Sequence, residues 1–236
     1  MARLKSEALD LYRREHGQRL RDWLTARIDR VAVWAGRLAF LSGPLLRSAL
    51  GRWLAEKVLG FDRRRQLPRF VARSFRSRFA SRVRAGDPGD RTRVVLFVDC
   101  WTDRCEPELG IAAANLLEAA GFAVELAGTG CCGRAAISKG NLQRAEQLAA
   151  HNVQVLHPLV RQGRLVVGIE PSCLSTLRDE YPALLRGPLA EQARELAGSS
   201  LLIEELLARL PDEAWKRLAF EPSPSRVPRP SPACSF

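Results

Sequence analysis

The chain has 236 residues, 46% of them hydrophobic, which is enough to bury the core of one ordinary domain and carry an accessory segment beside it. Its formal charge of +11 is local, because residues 62 to 93 hold eleven arginines against Asp62, Asp87 and Asp90, and the remainder is only weakly basic. Met1 to His16 lacks the apolar core of a secretory signal, and Val31 to Leu50 is interrupted by Arg37, Gly43, Pro44 and Arg47, short of the roughly 18 apolar residues of a membrane span, so a cytoplasmic protein is expected.

Residues 1–60 read as a helical segment. Leu4, Ala8, Leu11 and Tyr12 fall at helical spacing before a stop at Gly17. A second helix is expected from about Arg19 to Leu38, with Leu20, Trp23, Leu24, Ile28, Val31, Trp34 and Ala35 on one packing stripe. A third opens at Pro44 and ends at Gly60. Residues 61–93 form an Arg-rich connector carrying Phe70, Phe75 and Phe79 and closing in the Gly86 to Gly89 loop. Such a segment can touch an anionic membrane surface from the cytoplasmic side; nucleic acid is not the expected partner, since no recognised nucleic-acid motif accompanies it.

Residues 94–210 read as an α/β domain. Apolar runs at Val94–Val98, Phe122–Ala127 and Leu165–Ile169 alternate with helical patterns, which predicts a small three-stranded parallel sheet with crossover helices. The helices are expected over Pro107–Ala120, with Leu109, Ala113, Leu116 and Leu117 inward and Gly121 past the end; over Lys139–His151, capped by Ser138; and over Val153–Val160. Two more follow at Ser172–Leu185 and Pro188–Leu210. Three strands leave both sheet edges open, and the N-terminal helices or a partner must cover them. Residues 211–236, rich in proline and holding Cys234, read as a disordered tail.

Four of the six cysteines follow these strands. Cys100 comes after the first, Cys131 and Cys132 after the second, and Cys173 after the third, so a parallel sheet would bring them together at its carboxyl edge, where open α/β folds place their ligands. Soft thiolates suit iron-sulfur clusters, zinc or copper(I). Single thiols from separate loops around an adjacent pair favour iron-sulfur over the close C-x-x-C pairs of structural zinc. Gly130 and Gly133, bounding that pair, are the candidate cofactor-contacting glycines. Cys105 is an additional candidate ligand. Any one of these cysteines could also be a small buried hydrophobe. Gly128-Thr-Gly130-Cys-Cys-Gly133 matches G-x-G-x-x-G as well, which keeps a dinucleotide-binding enzyme open, although no acidic residue ends a strand about 20 residues on.

These residues resemble the cysteine-rich CCG domain of iron-sulfur oxidoreductases, and most of all the iron-sulfur half of FAD-linked oxidases of the D-lactate or D-2-hydroxyglutarate dehydrogenase type. Cys100, Cys131, Cys132 with Gly133, and Cys173 match its motif one by one, and residues 2 to about 185 share the likeness. The last motif cysteine is replaced by Thr176, and there is one CCG unit and no FAD domain, as in a fragment of the larger system. The resemblance implies an iron-sulfur cluster of the 4Fe-4S kind on those four cysteines. It further implies FAD on a partner domain or chain, a second CCG unit, an electron acceptor, and no catalytic residue in this chain. A cofactor-free docking remnant of the same fold is the alternative.

Overall fold

The computed structural model describes residues 2–40, 44–45, 48–64, 68–82 and 91–218. The loop at Gly86–Gly89 and residues 219–236 with Cys234 lie outside them, while the start of the expected disordered tail is a correction, since Asp212–Arg217 is helical. Four parallel strands form one sheet: β1 (Arg93–Phe97), β2 (Ala123–Glu125), β3 (Leu165–Gly168) and β4 (Ser200–Leu202), in the order β2-β1-β3-β4. β1 pairs Val95 with Glu125 on one side and Val94 to Phe97 with Leu165 to Gly168 on the other. β4 is a correction to the expected three strands. Residues 200–202 read in sequence as part of a helix running to Leu210, because a three-residue strand is too short to show alternation and the leucines after it repeat with helical spacing. Pairing of Val166 to Gly168 with Ser200 to Leu202 covers the β3 edge, so the expected open edge there is closed by the chain itself.

Alternation along β1 sends its side chains to two cores. Val95 and Phe97, with Val166, meet α9 (Leu142–Arg161), α11 (Tyr181–Leu184) and α12 (Pro188–Gly198). Val94, Leu96 and Val98 meet α5 (Phe75–Ala80), α7 (Pro107–Ala119) and α13 (Ile203–Leu207). The result is a helix/sheet/helix sandwich with strands buried on both faces, as their near-continuous apolar runs require. Helix α9 is one element where two were expected; Asn141, not Ser138, caps it, accepting from the Arg144 N–H at 3.3 Å. Residues 134–138 form their own short helix α8 (Arg134–Ser138). On α7, Ala113, Ala114 and Leu117 are buried, but Leu109 is exposed. The 171–185 segment is helical throughout, as α10 (Pro171–Ser175), a π-helical turn at Thr176–Glu180, and α11.

The helices before the sheet are α1 (Ala2–His16), α2 (Leu20–Ala26), α3 (Ile28–Arg37) and α4 (Ala49–Leu59). The expected single helix 19–38 breaks at Arg27, and its expected inward stripe is met only in part, with Leu24, Ile28, Val31 and Ala35 half-buried. Leu20, Trp23 and Trp34 are exposed, while Ala26, Ala32 and Gly36 are buried. Small residues face inward because α3 lies hard against the chain: a Cβ on Gly36 would stand 2.7 Å from the Val71 carbonyl oxygen. α2 and α3 pack against α8 and against α6 (Cys100–Arg104), at the carboxyl ends of the strands. Ion pairs tie this roof down, Asp22 to Lys139 at 2.8 Å and Asp29 to Arg144 at 2.6 Å.

In the Arg-rich segment, Phe75 and Phe79 enter the second core and Phe70 is buried too. Gly110 of α7 makes the seat for Phe75, since a Cβ there would lie 2.6 Å from the ring. Helix propensity alone would reward Gly110→Ala by up to about 1 kcal/mol. Overpacking against Phe75 outweighs this, and the substitution is expected to lower stability by about 1–3 kcal/mol in urea unfolding. A gain in stability would show that the ring does not occupy this seat.

Candidate metal centre

Chain order β1, β2, β3 on a sheet ordered β2-β1-β3-β4 means that the connection out of β1 goes to one side and the later strands build on the other. The carboxyl ends of β1 and β3 therefore flank a topological switch point, the place where open α/β sheets leave room for a ligand. Cys100 begins α6, whose N-cap Asp99 accepts from the Trp101 and Thr102 N–H groups at 2.9 Å. Cys131 and Cys132 occupy the loop between β2 and α8, which turns at Gly133 with φ of 86°. Cys173 lies in the first turn of α10 behind Pro171.

The four thiols meet in a row. Cys100 is hydrogen-bonded to Cys131, Cys131 to Cys132, and the sulfurs of Cys132 and Cys173 are in contact at 2.9 Å. One end of the row is open and the other is in the core: Cys100 and Cys131 are half-buried and line a cavity of about 340 Å³, while Cys132 and Cys173 are buried. The cavity is walled by Asp29, Arg30, Val33 and Trp34 of α3 and by Arg76, Asp103 and Arg104. Cys131 is the most acidic thiol of the row. Hydrogen bonds from Cys100 and then Cys132, the Gly133 N–H and the field of Arg144 hold it well below the usual thiol range against the opposing effect of burial. Cys100 is pushed far up, first by its bond to Cys131 and then by burial, and Cys132 by its contacts with Cys131 and Cys173 and then by burial.

The loop that presents the pair has no ladder partners for its carbonyls, and side chains supply them instead. Arg76 donates to the oxygens of Ala127 at 2.7 Å and Thr129 at 3.1 Å. His151 Nε2–H donates to Gly128 O at 3.0 Å. Asn152 Nδ2 donates to Cys131 O at 3.0 Å, its Oδ1 accepts from Gly130 N at 2.8 Å, and Tyr181 Oη donates to Cys132 O at 3.0 Å. A further bond at 2.8 Å joins Asn152 to Tyr181. The Gly130 N–H is thus engaged, and the helix after Gly133 is only five residues long, so the loop offers little of what a dinucleotide pyrophosphate needs.

A set of four thiols, with no carboxylate or imidazole in the row, has the chemistry of a soft-metal or iron-sulfur ligand set. Its spacing is that of thiols in contact. Four sulfurs around one ion at about 2.3 Å stand about 3.8 Å apart, and among the described residues no three His, Cys, Asp or Glu side chains are arranged to hold a metal ion. Loading requires the sulfurs to part, and rotation between staggered wells moves a cysteine sulfur without moving its loop. The donor chemistry suits such a group, while the spacing of the thiols in this structure is too close for it. Cys105 stands apart from the row: burial, then Glu106 and Asp99, raise its thiol to about 11, and none of the other described cysteines is among the groups that act on it. Thr176, where the last motif cysteine would be, is buried at the first residue of the π-helical turn and donates to Ser172 O at 2.8 Å.

Sequence reasoning alone misses Arg76, Asn152 and Tyr181. Asn152 carries a signal, as a polar residue within the buried stripe Ala145, Ala149, Val153 and Leu156 of α9. Arg76 has none, being one arginine among many.

Fold and site together define an open parallel α/β domain with a thiol centre at its switch point. Residues 94–178 match the family model described as CCG, cysteine-rich domain, so the resemblance read from the cysteines holds over that stretch. The chain is 32% identical over 136 residues to a subunit of the anaerobic glycerol-3-phosphate dehydrogenase of Escherichia coli, covering 57% of this chain and 34% of that protein. It is 32% identical over 118 residues to lactate utilization protein A of Oceanobacillus iheyensis, covering 49% and 46%. Identity to D-2-hydroxyglutarate dehydrogenase of Escherichia coli is 25% over 224 residues, covering 89% of this chain and 22% of that one. The chain thus spans about a third to a half of the glycerol-3-phosphate dehydrogenase and lactate utilization relatives. No solved structure matches.

The thiol row predicts a chemical outcome. Mild oxidation of the metal-free protein is expected to form intramolecular disulfides drawn only from Cys100, Cys131, Cys132 and Cys173, with Cys105 left to alkylation. Peptide mapping that finds Cys105 in the main cross-link would contradict the placement.

Proposed function

We propose that this chain is the iron-sulfur electron-transfer module of an FAD-linked 2-hydroxyacid oxidoreductase, with Cys100, Cys131, Cys132 and Cys173 as ligands. The observation that carries the reading is the meeting of four thiols, from three loops remote in sequence, at one switch point. Relatives named as dehydrogenases and as a lactate utilization protein support the redox context. An iron-sulfur cluster, probed as the 4Fe-4S kind, supplies a one-electron carrier when bound. The chain's own part is to hold it through the four sulfurs, to turn the loop at Gly130 and Gly133, and to keep one end of the site open beside α3. FAD belongs to a partner domain or chain, which together with a second CCG unit and an electron acceptor would complete the system. Attachment to a membrane surface through the Arg-rich segment would rest on charge from residues such as Arg69 and Arg73, because Phe70, Phe75 and Phe79 are in the core.

A cofactor-free docking role is the second reading, favoured by Thr176 and by the close-packed thiols. Anaerobic reconstitution separates the two. Iron and acid-labile sulfide are expected to bind, with a spin-resonance signal on reduction, and serine at any of the four cysteines is expected to lower iron content while Cys105→Ser leaves it unchanged. Absence of both elements, with capture of a flavoprotein undiminished by the serine variants, would decide for docking.

A further inference from the structure

Asn152 and Tyr181 are both fully buried, polar, and outside the set of cysteines on which the proposed function relies. Between them they hold three consecutive residues of the loop, through Gly130 N, Cys131 O and Cys132 O. The orientation of this network is fixed by chemistry. The Gly130 N–H needs an acceptor, so Oδ1 of Asn152 must face it; Nδ2 then supplies one proton to Cys131 O and one to Tyr181 Oη, leaving the phenol proton for Cys132 O. Every polar atom of the pair is engaged, and nothing in it is left over for another task.

The loop needs such a hold. Gly128 has nothing within 4 Å of a Cβ built on it, and at Gly130 the nearest atom is Leu148 Cδ2 at 3.6 Å, so packing does not demand glycine at either place. Glycines in open space leave the backbone free to turn. Fixing the N–H before Cys131 and the carbonyls of both cysteines stops the intervening peptide planes from rotating, and with them the two Cα–Cβ directions. The consequence is visible in the thiols: Cys132 reaches Cys173 in the core while its neighbour Cys131 lines the cavity with Cys100.

We infer that Asn152 and Tyr181 are positioning residues for the thiol centre, which hold adjacent cysteines facing different sides of one metal group and so set the affinity of the site. This rests on the metal-binding reading proposed above. It assigns to two buried side chains, one of them at position 181 beyond the matched stretch 94–178, a share in the site.

The test uses cadmium(II), titrated anaerobically into the reduced full chain and followed by thiolate-to-metal absorbance. Tyr181→Phe keeps the ring and removes only the hydroxyl. It is expected to weaken cadmium binding about 10-fold or more, the usual effect of losing a hydrogen bond behind a ligand. Asn152→Asp, which keeps the acceptor for Gly130 but loses both donors, is expected to weaken it at least as much. Leu206→Ala, on the opposite face of the sheet, is the control: it lowers thermal stability and is expected to leave cadmium affinity unchanged. If the unmodified chain binds and Tyr181→Phe binds equally well, or if Leu206→Ala weakens binding as much, the positioning role is wrong while the metal site stands. If the unmodified chain binds no cadmium, the four-thiol site itself falls, and this role falls with it.

Discussion

A partly buried, irregular loop must find partners for its backbone, and this constraint organises the domain. The segment 127–132 is neither strand nor helix, yet the carbonyls of Ala127, Gly128, Thr129, Cys131 and Cys132 all accept from side chains. Those side chains come from α5, α9 and α11, on both sides of the sheet. A polar residue in an apolar stripe, a tyrosine in the core and an arginine from a basic run thus have one explanation. Each would cost stability alone, and each is satisfied only because the loop lies where it does. Losing the loop geometry would leave several buried polar groups without partners at once.

The sheet does the converging. Parallel strands deliver their C-terminal loops to one rim, and the reversal of strand order between β1 and β3 keeps helices from filling the gap. The row of thiols that results runs from a cavity into the core, so its two ends sit in different surroundings. The lowered pKa of Cys131 comes from its sulfur neighbours Cys100 and Cys132, a backbone N–H and Arg144. Arg144 also binds Asp29 and the carbonyl of Ala26, so one guanidinium both ties the helical roof to α9 and supplies positive potential at Cys131. The roof is thereby coupled to the chemistry beneath it.

What could be read in the sequence followed from strong local signals. Strands β1 to β3 are apolar runs, and Gly17, Gly60 and Gly121 end elements with positive φ as their positions implied. Cysteines placed after strands were enough to bring four thiols to one rim. The rest depended on partners far along the chain. β4 is a strand because β3 offers it an edge, and its three residues carry no pattern of their own. α9 continues through Asn152 because the side chain is satisfied outside the helix. The spacing of Leu109 points it inward, but Phe75 from a distant segment takes the neighbouring position at Gly110. Arg76 acquires its role only when its guanidinium meets the loop carbonyls.

The N-terminal helices show how a packing requirement can override hydrophobic patterning. Their large apolar residues read as the inward stripe, but the surface they must meet is a backbone: the Val71 carbonyl for Gly36, the Leu9–Asp10 backbone of α1 for Gly140. Close approach of chain to chain admits only small side chains, so Ala32 and Gly36 take the contact and Trp34 is left at the rim of the cavity. A bulkier inner face on α3 would lift the helix from α6 and from the segment at Val71. The cavity wall that Asp29, Arg30 and Val33 provide would go with it. The half-open state of the thiol centre is therefore set by the smallest residues of the roof, which bring α3 close enough to wall the site while its large side chains stay outside.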